Sequence, residues 1–229
     1  MNRTAWTQLT EVSQRSLMTY LAIEGAIGVG KTTLSQLLAP RFQAGQLLEV
    51  FEENPFLADF YADRQGYAFQ TQIFFLLSRY RQQREVPASL EEHQHLIADY
   101  TFEKDALFAG LNLEGDELET YHSVHQALAE KLVVPDLIVY LQAETEVLLQ
   151  RIALRDRPYE RNMDPDYIDN LNQAYEKYFS GSREVTPVLK IDTNQLNYVA
   201  WKEDLDWVEN RIRQTLKLPP YQAELPLEE

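Results

Sequence analysis

The chain has 229 residues, of which 45% are hydrophobic, with a formal net charge of −15 and no cysteine. That length and apolar share suit one α/β domain with a sizeable core. The acidity argues against a general nucleic-acid binder, which needs a basic face. The missing cysteine excludes a disulfide frame, a thiolate metal site and a cysteine nucleophile. No apolar run approaches the roughly 18 residues that a membrane-spanning helix needs.

Residues 1–16 read as a loose arm or a short helix. They are polar and lack the apolar core of a secretory signal, which points to a cytoplasmic protein. Residues 18–24 form a near-continuous apolar run, the pattern of a strand buried on both faces. The chain then reads Gly25-Ala-Ile-Gly28-Val-Gly30-Lys31-Thr32-Thr33. This fits the phosphate-binding pattern G-x-x-x-x-G-K-[ST], with Gly25, Gly30, Lys31 and Thr32 at its fixed positions and Gly28 and Thr33 as further matches. Glycines let backbone N–H groups converge on phosphate oxygens, and the following helix adds the positive end of its dipole. Lys31 is expected to neutralise the outer phosphates and Thr32 to hold Mg²⁺.

That helix is expected over 32–42 from the spacing of Leu34, Leu37, Leu38 and Phe42. A second strand is expected over 46–51. Pro55 suits the first turn of another helix. Gly66 reads as a break before a long helix over 67–83 that is apolar on most sides. Such a helix is expected to bury one face in the core and another against a partner subunit. His95 to Asp99 reads as a third strand ending on a carboxylate. A mainly helical stretch follows, with a turn near Gly115 and a helix over 118–131. A strand over 136–141, helices over 144–154 and 165–179, a strand over 188–191 and a helix over 199–216 complete the pattern. The tail from Lys217 is rich in proline and acid and is expected to be mobile.

Alternating strands and helices imply a parallel sheet with helices on both faces. Ligands of such sheets bind beyond the carboxyl ends of the strands, which here carry the phosphate loop, Glu49, Asp99 and the segment after Leu141. An anion site in so acidic a chain must gather its cations locally. Arg151, Arg155, Arg157 and Arg161 do cluster.

Three further stretches stand in order: Glu49-Val-Phe-Glu-Glu-Asn54-Pro55-Phe56-Leu57, then Phe69-Gln-Thr-Gln72 with Leu77-Ser-Arg79-Tyr-Arg-Gln82, then Arg151-Ile-Ala-Leu-Arg155-Asp-Arg157. Together with the loop, they resemble the deoxyribonucleoside kinases over residues 18–215. The stretch Ile97-Ala-Asp99-Tyr100-Thr-Phe-Glu-Lys104-Asp-Ala-Leu-Phe108-Ala109 is most similar to the bacterial deoxyguanosine and deoxyadenosine kinase branch. The resemblance implies a three-layer P-loop kinase fold with a five-stranded parallel sheet and an arginine-rich lid. The kinase domain would span 17–216, between the arm and a tail over 217–229. It also implies transfer of the γ-phosphoryl group of ATP, with Mg²⁺, to the 5′-hydroxyl of a purine deoxyribonucleoside in deoxynucleotide salvage, deoxyguanosine being favoured over deoxyadenosine.

Residue by residue, the resemblance makes Glu49 the general base, with Glu52 and Glu53 as nearby rivals. Gln72 would read the base, sharing a helix face with Arg79 two turns on. Asp105 matches an aspartate that pairs with this arginine, and Phe102 is a candidate wall of the base site. Tyr61 and Glu160 match contacts to the sugar. Asp99 would hold Mg²⁺ with Thr32, and Arg151, Arg155 and Arg157 would close over the triphosphate. Relatives suggest a homodimer, or a heterodimer with a related chain; neither nucleic acid nor membrane is expected as a partner. The chain departs from much of the family at Tyr100, where an arginine is common. That departure shifts weight for phosphate binding to Lys31 and the lid. Two alternatives stand beside this reading. One is a nucleoside monophosphate kinase of the thymidylate kinase type, against which Tyr100 and Asn54-Pro55 speak. The other is a non-catalytic nucleotide-binding partner subunit; the D-x-x-G and N-K-x-D elements of a GTPase switch are missing.

Overall fold

A computed structural model describes residues 18–50, 53–161, 163–181 and 186–219. The expected N-terminal arm, Glu52 and nearly all of the tail lie outside the described residues. At the centre stands strand β1, Thr19–Glu24, every residue of which is buried. Four parallel strands flank it in the order β2-β3-β1-β4-β5: β2 is Gly45–Leu47, β3 His95–Ala98, β4 Leu137–Gln142 and β5 Val188–Asp192. The chain leaves β1, crosses past the place of β3 to lay down β2, returns for β3, and only then moves to the other side. The order therefore reverses at β1, which opens a crevice at its carboxyl end.

The helices between the strands are α1 Lys31–Phe42, α2 Leu57–Ala62, α3 Arg64–Gln83, α4 Val86–His93, α5 Lys104–Asn112, α6 Gly115–Ala129, α7 Thr145–Arg155, α8 Pro165–Ser180 and α9 Lys202–Leu216. They sandwich the sheet. The main core joins Leu21, Ile23, Leu34, Leu38, Val139, Leu148, Ile168, Val208 and Ile212. A smaller cluster of Tyr20, Val86, Leu96 and Ala98 is covered by α4.

Four boundaries depart from the sequence expectations for definable reasons. The second strand stops at Leu47 rather than 51, because the Asp99 carboxylate, not a neighbouring strand, takes the Glu49 N–H at 2.7 Å. Gly66 does not break the chain. It lies in the first turn of α3, where its N–H caps on the Asp63 carboxylate at 3.1 Å. Pro55 precedes α2 rather than opening it; Asn54 turns the chain there by accepting the Phe56 N–H at 3.0 Å. The last helix begins at Lys202 because Asn197 folds the preceding residues into turns, accepting from Ala200 N at 3.0 Å and Trp201 N at 2.8 Å. The short helix α4 was not anticipated: only Val86 and Leu90 mark its apolar side.

The helix after the phosphate loop is clamped to α9 by charge. Glu209, 1% exposed, accepts from Arg41 Nη1 at 2.8 Å and Arg213 Nε at 2.7 Å. Arg41 also reaches the more open Asp206. Removing Glu209 takes the one carboxylate that Arg41 and Arg213 share, so Glu209→Ala should cost about 3 kcal/mol in urea unfolding. Asp206→Ala should cost less than about 1 kcal/mol. Equal losses would show that the clamp is not centred on Glu209.

Candidate active site

The β1–α1 turn makes a phosphate cradle. Gly25, Gly28 and Gly30 all adopt positive φ, at 147°, 87° and 102°. A β-carbon on Gly25 would sit 2.5 Å from the Leu141 carbonyl oxygen, so only glycine lets β1 turn this close to β4. Lys31 Nζ reaches back over the loop, donating to Gly25 O at 2.8 Å and Ala26 O at 3.1 Å. Burial, and then the nearby Lys104 charge, lower its pKa to about 8.

Asp99 ties this cradle to the opposite rim. Its Oδ2 accepts from Thr32 Oγ1 at 2.5 Å, and its Oδ1 accepts from Glu49 N at 2.7 Å. A hydroxyl and a carboxylate beside a phosphate cradle are hard oxygen donors of the kind Mg²⁺ takes when phosphates complete its shell. Among the described residues no cluster of three or more His, Asp or Glu forms an all-protein metal cage. The donor set therefore fits a metal that arrives with a nucleotide.

Glu49 stands beyond Asp99, and its carboxylate is held from two sides. Oε2 accepts from Lys104 Nζ at 2.5 Å, and Oε1 accepts from Arg79 Nε at 3.1 Å as well as from Arg79 Nη2. Despite burial, these two cations hold the acid well below the usual carboxylate range. Arg79 Nη1 pairs in turn with the fully buried Asp105. The result is a row of alternating charge, Asp105–Arg79–Glu49–Lys104.

One cavity of about 110 Å³ joins these groups. Lys31, Thr32, Glu49, Asp99, Tyr61, Gln72, Phe75 and Arg79 all line it. Gln72 is 2% exposed, and its amide makes no hydrogen bond to the described residues. The Tyr61 ring lies parallel to that of Tyr159, 6.0 Å away, and burial raises its hydroxyl pKa well above the ordinary value. A second, wider cavity runs along the other side of the loop, bounded by Gly28 to Thr33, Arg151, Arg155, Arg157 and residues 194–199.

The arginines divide into two kinds. Arg155 makes a forked pair with the buried Glu160, its Nη2 at 2.7 Å, and Arg157 Nη1 lies 3.6 Å from the same carboxylate. Both line the two cavities at their junction. Arg151 instead donates to Thr193 O at 2.6 Å, Thr193 Oγ1 at 3.0 Å and Val29 O at 3.2 Å. It braces the loop from the side of the second cavity.

Of the residues singled out from sequence, Phe102 stands apart. It does not line the cavity; its ring stacks on His125 at 4.7 Å and belongs to the core. Asp105 reaches the cavity only through Arg79. Tyr100 is fully buried, and its hydroxyl donates to Gln82 Oε1 at 3.1 Å. Gln82 Nε2 in turn donates to Leu48 O at 2.9 Å, so Tyr100 shapes the approach to Glu49.

Sequence reasoning missed Lys104 as a site residue, together with walls such as Phe60, Phe75 and Tyr159. Phase along α3 was the available signal for Phe75, which lies between Gln72 and Arg79 on one helix face. A lone lysine among Phe102, Leu107 and Phe108 was the signal for Lys104.

A family model described as deoxynucleoside kinase matches residues 21–217. The chain is 33% identical over 201 residues to deoxyguanosine kinase of Bacillus subtilis (strain 168), covering 86% of this chain and 97% of that one. It is 34% identical over 182 residues to deoxyadenosine kinase of Dictyostelium discoideum, covering 77% and 73%. Among solved structures, deoxyadenosine kinase from M. mycoides with bound dCTP superposes with a TM-score of 0.73 at 25% identity, covering 85% of this chain and 99% of that one.

The lowered Lys31 pKa has a consequence for nucleotide binding. A bound triphosphate favours the ammonium form and raises the pKa above its value of about 8 in the free protein. Affinity should therefore be full below pH 8 and fall as pH rises through it. At pH 8.5, calorimetry in buffers of different ionisation enthalpy should show uptake of a fraction of a proton per ATP bound. Lys31→Arg, whose guanidinium does not titrate there, should abolish the uptake. Uptake that persists in the variant would assign the proton elsewhere.

Proposed function

The chain belongs to the deoxynucleoside kinase family and is a phosphotransferase; on that footing we propose that it phosphorylates the 5′-hydroxyl of purine deoxyribonucleosides, deoxyguanosine before deoxyadenosine, for deoxynucleotide salvage. The observation that carries the reading is one cavity lined both by the phosphate cradle and by Gln72, whose amide makes no hydrogen bond to the described residues. A nucleoside laid along it brings its 5′ end to Glu49 and its base to Gln72.

The donor triphosphate lies in the loop, held by its N–H groups, Lys31 and the α1 N-terminus. Thr32 and Asp99 would hold Mg²⁺, which supplies charge neutralisation of the phosphates when bound. Glu49 accepts the proton of the 5′-hydroxyl as the oxygen forms its bond to the γ-phosphorus. The bond from that phosphorus to the bridging oxygen breaks, and ADP leaves with its electron pair. Arg155 and Arg157 serve as the lid, turning from Glu160 to the phosphates. Tyr61 and Glu160 hold the sugar, Tyr61 at its 3′-hydroxyl.

Base choice follows from donors and acceptors. The Gln72 amide can pair with the edge of either purine, since it carries a donor and an acceptor side by side. Arg79 adds positive charge to the cavity and has its two flanking carboxylates turned to its own nitrogens. A cation there favours the O6 acceptor of guanine over the amino donor of adenine. The two curated relatives described above are named for one purine each, which supports a purine site. The apolar stripe of α3, with Leu77 42% exposed, supports a dimer through that face. Among the described residues, no helix is long and apolar enough to cross a membrane.

Phosphotransfer from ATP to each of the four common deoxyribonucleosides tests the substrate directly. Deoxyguanosine should give the highest kcat/KM and the pyrimidines the lowest; a pyrimidine in first place would overturn the base reading. Glu49→Gln should lower kcat on the order of 10²–10⁴-fold while ATP affinity holds. Near-normal turnover in that variant would move the base to Glu52 or Glu53.

A further inference from the structure

Lys104 is 4% exposed, lines the cavity and spends its charge on Glu49. Its stem passes Phe108, with Nζ 5.7 Å from the ring centroid. It shares the cavity with Lys31, close enough that its charge is the second cause of the low Lys31 pKa. Two ammonium groups thus flank the place where the phosphate cradle meets the proton acceptor. One of them is bound to that acceptor.

An acid held by two cations is a poor base. Glu49 must take a proton, yet the Lys104 ammonium and the Arg79 guanidinium both donate to its carboxylate. Arg79 is fixed in place by Asp105 behind it. Lys104 has no second carboxylate: its partner among the described residues is Glu49. A lysine ammonium is a point charge on a flexible stem and can change partners without losing geometry. The groups around the pair are Lys31 from α1, Asp99 from the end of β3, Arg79 from α3, Glu24 from β1 and Tyr175 from α8. Of these, Lys31 is already committed to the loop carbonyls.

We propose that Lys104 is a catalytic residue that leaves Glu49 for the transferring phosphoryl group as the reaction proceeds. In the free protein it keeps the Glu49 carboxylate charged and placed. When triphosphate and nucleoside fill the cavity, its ammonium turns to an equatorial phosphoryl oxygen and stabilises the charge that spreads there. That departure removes one of the two cations from Glu49 as the 5′-hydroxyl proton arrives. Lys104 keeps its own proton throughout, and the bonds formed and broken are those of the transfer described above. The inference rests on the reading of the cavity as a deoxynucleoside kinase site.

The test joins kinetics with a transition-state complex. Lys104→Met in the full chain should lower kcat about a hundredfold while the nucleoside KM changes little, and Lys104→Arg should recover part of the loss. In a crystal of the wild-type protein with ADP, aluminium fluoride and deoxyguanosine, Lys104 Nζ should lie within hydrogen-bond distance of the fluoride plane. An ammonium still paired to Glu49 in that complex would overturn the proposal. So would a Lys104→Met enzyme whose kcat stays within about threefold of wild type. Should the methionine variant fail to fold, the wild-type complex decides alone. A failure of the wider reading looks different: the wild-type protein itself would transfer no phosphoryl group to any deoxyribonucleoside.

Discussion

Buried charge has to be paired, and the site is built around that requirement. A carboxylate taken out of water loses far more than a neutral group unless opposite charge and donors meet it. Glu49 is met by Lys104 and Arg79, and Arg79 by Asp105. Each member of the row fixes the next, from α5 through α3 to the end of the β2 segment and back to α5. Asp99 adds the perpendicular tie, with one oxygen on Thr32 of the loop and the other on the backbone of Glu49. The cradle and the acid therefore sit at a fixed separation set by one carboxylate. A protein with net charge −15 gathers five cations around its main cavity, Lys31, Arg79, Lys104, Arg155 and Arg157, against three carboxylates. The excess draws an anionic ligand into an otherwise acidic molecule.

What the sequence made legible follows the range of the interactions involved. The phosphate loop was readable because its constraints are local: glycines at positive φ, then a lysine and a threonine at the head of a helix. The five parallel strands were readable from continuous apolar runs, and all five formed. Glu49, Asp99, Gln72 and Arg79 were named as site residues, and one cavity gathers all four. Side chains that end elements across long separations were not readable. Nothing near residue 47 says that an aspartate fifty residues on will take the Glu49 N–H and stop the strand. Lys104 was hidden for the same reason, since its partner lies 55 residues back. Phe102 was misread because an aromatic next to a site acid serves a core as well as a ligand wall; here His125 claims its face.

The place of Tyr100 shows how a substitution is absorbed when its neighbours change too. Burial holds the phenol neutral well beyond its ordinary range, so the residue supplies no charge of either sign. Its hydroxyl serves Gln82, which holds the Leu48 carbonyl of the same peptide unit whose Glu49 N–H Asp99 takes. Position 100 thereby becomes structural support for the acid, while the cation beside that acid is provided by Lys104, at the start of α5. Function at this rim is carried by the set of charges present and is not fixed to a single position.

The same logic reaches the arginines at and after the end of α7. Arg155 and Arg157 share Glu160 as Lys104 and Arg79 share Glu49: in both places one buried carboxylate holds two cations. Arg151 differs, because backbone carbonyls and a threonine hold it, and a neutral acceptor gives up less charge stabilisation on exchange than a carboxylate does. Cations held by acids must exchange one anion for another to act on a phosphate. That exchange is close to balanced in Coulomb energy and leaves no guanidinium or ammonium unpaired in either state. A cation paired with neutral groups gains contacts on binding but has no partner to return to. Pairing Arg79, Lys104, Arg155 and Arg157 with acids thus leaves none of these cavity cations without a counter-charge.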